Sequence, residues 1–358
     1  MPAGSNMNGD EFWIIENSQY RRCSAPEKEF CSIASFHNHS VHSIECLSSL
    51  NRVVALPFMR PFRGILQKAF GLETITDLDY SDLQYNPPLT PTGVLRLELE
   101  SVRRIGFHRM IFALTDHNSV SGCLELLDNP FVESNQIGFG EELSVRFQNH
   151  LFHLGIHGLP MDGLTSVHNR LQAAAHEDRL EDLFGDLHSI GCLVILNHPL
   201  LSWNGDSFES VPARSFIERF AWAIDALEYN GMRSRRENDG VLGLAQNTGK
   251  PLVGGGDSHF LTASSALSVS RCAQSMAEYI QEIKEGKAIT LVRKEYVAPM
   301  NWKIFLRVVG FIAQYRKIAR YKERPIESVI GKKLVLLDPV GILARIFLRI
   351  VEGLNLMR

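Results

Sequence analysis

EFCSIASFHNH, residues 29–39, is a short run of β-branched, aromatic and small residues that ends in two histidines one residue apart. Residues two apart in a strand project to the same side, so His37 and His39 can bind one ion together. Six more segments repeat the pattern: RMIFALTDHN (109–118), NQIGFGEEL (135–143), HLFHLGIHG (150–158), GCLVILNHP (191–199), IDALEYNG (224–231) and PLVGGGDSH (251–259). Each reads as a strand that gives way to polar residues. Helix-like stretches lie between several of them, such as 92–104 and 179–190, with apolar residues at three- and four-residue intervals. Alternating strands and helices predict a parallel sheet. The polar residues gather at or just after strand ends, where barrels of parallel strands place their chemistry. The expectation is therefore a barrel-like α/β fold rather than an open doubly wound sheet.

The strand ends supply a consistent chemistry. Besides His37 and His39 they offer His117 in TDH, Glu142 in GEE, His153 in HLG, His198 in NHP, and Asp257 and His259 in GDSH. Imidazoles and carboxylates without cysteine suit zinc, manganese or iron(II). A lone HxH is weak in a chain with 13 histidines, and the joint placement of six of them is the signal. His42, His108, His150, His157, His168, His176 and His188 lack that placement and are assigned to surface or core.

Charge divides the chain. Residues 301–358 hold 12 Lys/Arg against 4 Asp/Glu, whereas residues 1–300 hold 25 against 36. A negative body argues against broad nucleic-acid binding, and no DNA-binding module is visible. The tail (301–358) contains WKIFLRVVGFIAQYRKIARYK, apolar on one helical face and basic elsewhere. Such a helix can pack on its own domain, meet a partner, or make peripheral contact with an anionic membrane. Residues 48–88, apolar and basic and then acidic, read as an insertion after the first strand. The start of the chain (1–28) reads as an extension without a basic-then-apolar leader, and the six cysteines form no framework. A cytoplasmic protein, membrane-peripheral if the tail binds lipid, is the expectation.

The series HNHS, ALTDHNS, GEEL, HLGI, LNHP and GGDSH resembles, in order and character, the polymerase and histidinol phosphatase (PHP) domain family, over approximately residues 30–270. The resemblance implies a distorted (β/α)7 barrel within residues 29–300. It also implies two or three divalent ions per chain, commonly a trinuclear centre, and hydrolysis of phosphomonoesters or phosphodiesters. Carried over motif by motif, the ligands are His37, His39, Glu142, His153, His198, Asp257 and His259, with His117 from the TDH step. Asp116 becomes a metal-adjacent carboxylate that orients an imidazole, and His198 and Asp116 become the catalytic candidates. One ligand departs from the pattern. Glu45 stands where the family usually has an aspartate, and Asp82 in the insertion is the alternative supplier.

Clustered divalent ions neutralise phosphate oxygens and lower the pKa of a water between them, which predicts a metal-dependent phosphoesterase. Arg233, Arg235 and Arg236, after the sixth strand, are the candidate grips for a phosphorylated small molecule or nucleotide. Gly254, Gly255 and Gly256 either let the last strand approach the cluster or form a simple turn. A metal-holding regulatory or scaffold protein with weak catalysis is the alternative reading.

Overall fold

The computed structural model describes residues 12–46, 84–87, 89–127, 136–200, 210–259 and 263–294. Asp82, most of the insertion and the basic tail lie outside them. In chain order the elements are β1 (Phe12–Glu16), β2 (Gln19–Cys23), β3 (Ser32–Ser35), β4 (Glu45–Cys46), β5 (Gln84–Tyr85), α1 (Pro91–Arg104), β6 (Met110–Leu114) and α2 (Ser121–Leu127). Then follow β7 (Ile137–Phe147), β8 (His150–His157), α3 (Leu164–His176), α4 (Leu180–Ile190), β9 (Leu193–Asn197), α5 (Ser210–Arg219), β10 (Ala226–Asn230), α6 (Arg235–Thr248) and β11 (Leu252–Gly255). The last are β12 (Ala266–Ser270), α7 (Met276–Lys284) and β13 (Ile289–Arg293). Every one of the seven expected strands is present, as β3 and β6 to β11, and the two expected helices are α1 and α4.

The fold is mixed α/β around an 11-stranded sheet of order β11-β10-β9-β8-β7-β6-β3-β12-β13-β1-β2. The expectation of a parallel sheet needs correction. β3, β6 and β7 are parallel, as are β9, β10 and β11, but β8 runs antiparallel to both of its neighbours. The cause is local. Gln148 and Asn149 join β7 to β8 with φ of 49° and 65°, the two positive values of the tight turn that reverses a strand directly into a hairpin. Asn17 and Ser18 make the same turn between β1 and β2, with φ of 49° and 59°. Residues 12–23 of the expected N-terminal extension thus form a hairpin, and β1 pairs with β13.

Period-two alternation sends the strands' side chains to two separate cores. Ala34, Phe36, Ile111, Ala113, Leu193, Ile195, Ala226 and Val253 share one cluster with Met276, Tyr279 and Ile283 of α7. Their neighbours in sequence, including Ile33, Phe112, Leu114, Val194, Leu196 and Leu227, join the other cluster with Val102, Leu171, Phe184, Phe216 and Leu244 of the helices. Burial on both faces explains why these strands are continuously apolar rather than alternating. At roughly 1.5–3 kcal/mol for each large apolar side chain, this packing is the main stabilising contribution.

The seven-strand run from β3 to β11 also meets itself. Asn38, just after β3, bridges to Ser258, just after β11, and the His39 N–H donates to the Ser258 carbonyl at 3.0 Å. Along β11, the Gly254 N–H donates to Ser268 Oγ at 3.2 Å, and Thr290 Oγ1 donates to the Leu252 carbonyl at 3.1 Å. No helix among the described residues is long and apolar enough to cross a membrane.

Gly254 is what lets β11 lie this close. A Cβ there would stand 2.3 Å from the Leu267 carbonyl oxygen, a backbone atom with little room to yield. Gly254→Ala is expected to destabilise the protein by about 1–3 kcal/mol. Gly185→Ala, in the middle of α4 where an added Cβ meets nothing within 4 Å, should stabilise it by about 0.5–1 kcal/mol. Denaturant unfolding of the two variants checks both signs.

Candidate metal centre

The inner rows of side chains, followed to the end of the sheet where Asn38 meets Ser258, change from apolar to metal-binding chemistry. Ile111 and Ala113 on β6 lead to Thr115 and then His117. Val253 and Gly255 on β11 lead to Asp257 and His259. On β8 the order is reversed, from His157 through Gly155 to His153, because the strand runs the other way. His153 therefore precedes the end of its strand and still reaches the same edge. Two donors sit where the backbone turns: His198 has φ of 28° and Asp257 has φ of 48°. An L-residue costs roughly 1–2 kcal/mol in that region, so the surrounding contacts must hold both turns in place.

Glu142 is the centre of the arrangement and is wholly buried. Its Oε1 lies 3.0 Å from His198 Nε2 and 3.2 Å from His153 Nδ1, and it accepts from Asn197 Nδ2 at 3.0 Å. Its Oε2 lies 3.1 Å from His37 Nε2, 3.3 Å from His39 Nε2 and 3.2 Å from His117 Nε2. Asp257 Oδ1 stands 3.8 Å from His37 Nε2 and 3.6 Å from His39 Nε2.

Glu45 completes the other side. Its Oε1 lies 3.5 Å from His39 Nδ1, and its Oε2 lies 3.3 Å from His117 Nε2 and 3.0 Å from His259 Nε2. Ser43 Oγ donates to the Glu45 carboxylate and accepts the His117 N–H at 3.0 Å. The backbone of Glu45 pairs with Tyr85 in the β4–β5 ladder, so the insertion leaves and rejoins the fold beside this carboxylate.

Nine side chains thus form four interlocking donor groups: His37, His39 and Asp257; His37, Glu142 and His198; His117, Glu142 and His153; and His39, Glu45, His117 and His259. The donor set fits divalent ions in kind, being imidazole and carboxylate throughout. It also fits in aim. His37 Nε2 and His39 Nε2 face each other at 3.0 Å, and at most one proton can lie between them. Seven of the nine side chains are at most 7% exposed, whereas His117 and His259 are 13% and 16% exposed, which puts the open face at the Glu45 group.

Electrostatics follow from this crowding. Burial alone would push the Glu142 carboxyl up, but the imidazoles of His117, His37 and His153 outweigh it and hold it well below the usual carboxylate range. Glu45 and Asp257 are held well below that range in the same way, by His117 and His259 respectively among others. Burial favours neutral rings at His37 and His39. The carboxylates of Glu228 and Glu142 nevertheless raise His37 well above its ordinary value, and Glu45 with Asp257 raises His39 to about 10. His153 goes the other way, to about 4, because burial dominates there.

Asp116 needs correction. It is buried, but its carboxylate accepts from the Ser40 N–H at 2.5 Å and from Ser40 Oγ at 2.8 Å, not from an imidazole. It pins the loop after His39 instead of facing the donors. Of the three arginines, Arg233 reaches the site, with Nη2 3.4 Å from Asp257 Oδ2. Arg235 is exposed on α6 beside Asp239 at 3.5 Å, and Arg236 is exposed next to it. The histidines set aside from the sequence do stay outside the donor groups: His42 pairs with Glu125 at 2.7 Å, His168 pairs with Glu141 at 3.0 Å, and His157 is a buried core residue.

Sequence reasoning missed Glu228, Asn197 and Asn230, which lie among or directly beneath the donors. Glu228 touches His37 and His198, Asn197 touches Glu142, and Asn230 Nδ2 donates to Asp257 Oδ2 at 3.1 Å. The available signal was polarity at inward positions of otherwise apolar strands.

No family model matches the chain, and no curated protein is a significant match. Solved structures do match in chain path. The chain is similar to a protein from Bifidobacterium adolescentis assigned as a metal-dependent phosphoesterase, at 14% identity over 48% of this chain and 82% of that one, with a TM-score of 0.33. It is similar to an amidohydrolase from Chromobacterium violaceum holding sulfate and no metal, at 16% identity over 58% of this chain and 93% of that one, with a TM-score of 0.38. A two-domain protein from Bacteroides vulgatus, containing a predicted PHP-like metal-dependent phosphoesterase, matches at 12% identity over 74% of this chain and 65% of that one, with a TM-score of 0.41. Likeness at this level leaves the chemistry to be argued from the side chains.

Proposed function

We propose that the chain is a metal-dependent phosphoesterase, a hydrolase of a phosphorylated small molecule or nucleotide, built on a distorted barrel whose ring runs from β3 to β11. The observation that carries this reading is the convergence of nine imidazole and carboxylate side chains in four interlocking groups with a guanidinium at their edge. Divalent ions held there would draw negative charge off phosphate oxygens and acidify a water for attack.

The chain's own residues have separable tasks. His37, His39, Glu142, His153, His198 and Asp257 form a buried frame. His117 and His259 line the open face with Glu45, where a substrate would enter. Arg233, 17% exposed and balanced by Asp257, can turn a guanidinium edge to a phosphate oxygen. None of the seven strand segments contains a lysine, which disfavours sites that bridge their metals through a modified lysine. A scaffold role with weak catalysis drew its support from the glutamate at position 45 and from the insertion after the first strand. That support weakens once Glu45 is seen to reach three imidazoles. The basic tail remains a proposed contact for anionic membranes or for the chain's own surface.

Elemental analysis should find about two to three divalent ions per chain, since the four groups share their nine donors and each ion takes about three or four. The same preparation should hydrolyse p-nitrophenyl phosphate or its bis-ester, and lose that activity on chelation. One ion or none at saturating metal, or no turnover of either ester by fully loaded protein, would remove the reading. Glu45→Gln should weaken metal binding by more than about tenfold, the loss that even partners of a ligand produce, while Asp82→Asn leaves it unchanged. The reverse result would move the ligand into the insertion. Arg233→Ala should raise KM by about 10- to 100-fold, from the loss of one charge-assisted hydrogen bond, with Arg235→Ala and Arg236→Ala near wild type.

A further inference from the structure

Beneath the donors, Glu228 on β10 is 2% exposed. Its Oε2 accepts from the His198 backbone N–H at 2.9 Å and from Asn230 Nδ2 at 2.9 Å. The Asn230 amide has one orientation, because its Oδ1 accepts the Met232 N–H at 2.7 Å and so leaves the Nδ2 side to the carboxylates. Both groups on Oε2 can only donate. The remaining oxygen, Oε1, lies 2.5 Å from His37 Nδ1. Two donors on Oε2 favour the ionised carboxylate, whose Oε1 accepts as well, and this puts an imidazole proton on Nδ1. In the neutral ring that a metal ion would bind, the lone pair then resides on Nε2, the atom that faces His39, Glu142 and Asp257.

We propose that Glu228 fixes His37 in the tautomer that leaves Nε2 free for a metal ion, and that position 255 is glycine to admit this carboxylate. A Cβ on Gly255 would lie 1.7 Å from Glu228 Oε1 and 2.6 Å from its carboxyl carbon, so any side chain there pushes the carboxylate away from His37. Glu228 also holds the His198 backbone in its left-handed turn, with φ of 28°. One buried carboxylate therefore sets two members of the donor group completed by Glu142. Glu228 is a positioning residue. The proposal rests on the metal-centre reading but assigns a role which that reading does not contain.

The test uses zinc alone on metal-stripped full-length protein, followed by calorimetry. Glu228→Gln keeps the shape but turns an NH2 group towards N–H donors. It should weaken zinc at one site by about 10- to 100-fold, the usual loss when a ligand's supporting partner is removed. Gly255→Ala should weaken zinc in the same way. The double variant should be little worse than Glu228→Gln alone, because both changes act through one contact. Nitrogen-15 spectra of zinc-loaded wild type should place the His37 proton on Nδ1. Wild-type affinity in both single variants would overturn the proposal, as would a proton on His37 Nε2. Should Glu228→Gln fail to fold, the wild-type spectrum decides by itself. Wild-type protein that binds no zinc, manganese or iron would overturn the metal-centre reading, and this proposal with it.

Discussion

The carboxylate of Glu142, with no solvent exposure, is the constraint that the rest of the site answers to. Burying an isolated carboxylate costs several kcal/mol even after relaxation, so its charge must be met on every side. Five imidazoles and one amide meet it, from the end of β3, the end of β6, β8, and the end of β9. No single strand could supply them. Only a sheet whose neighbours are held in register, with β8 reversed, brings these groups to one point. The same crowding of nitrogens around a fixed negative charge suits cations, since divalent ions can take the place of imidazole protons without changing the frame.

The interior below this point is organised by size as well as polarity. A glycine on one element admits a large residue from its neighbour: Gly138 admits Met276 of α7, Gly155 admits Asn197, and Gly255 admits Glu228. Met276 belongs to an apolar layer closed by α7, whereas Asn197 and Glu228 belong to a polar layer between that core and the donors. The three consecutive glycines at the end of β11 therefore do not share one purpose. Gly254 meets the backbone of β12 and Gly255 meets a side chain, while a Cβ at Gly256 would come no closer than 3.4 Å to anything.

This division explains what could be read from the sequence. Eight of the donors were legible because histidines and carboxylates are conspicuous at the ends of apolar runs, and they converge with Glu45, to which only the family resemblance pointed. Glu228 and Asn197 were not, since a glutamate or asparagine inside ALEYN or VILN looks like an ordinary strand-end residue until the partner across the sheet is known. Asp116 stands next to a donor in TDH, and adjacency suggested a shared task. In a strand, however, adjacent residues point to opposite sides, and Asp116 faces Ser40 instead. The mixed sheet was missed because the strand segments alone carry no direction. The direction of β8 lies in the two-residue turn at Gln148–Asn149.

Glu45 shows how an interruption of the fold can be reconciled with a precise site. The insertion would be expected to loosen whatever lies at its junction, yet its two ends meet in the β4–β5 ladder, where Glu45 pairs with Tyr85. Asn86 Nδ2 donates to the Ser43 carbonyl at 2.7 Å, and the Val41 N–H donates to the Leu89 carbonyl at 2.8 Å, so both flanks of the junction are tied to the segment that follows His39. Glu45 is thus anchored outside the main sheet, and its long side chain brings two oxygens among His39, His117 and His259. These last two histidines are the more exposed of the donors. The part of the site that faces solvent is therefore also the part whose carboxylate is held by the base of the insertion, and Glu45 ties that junction to Glu142 through His39 and His117, the two imidazoles they share.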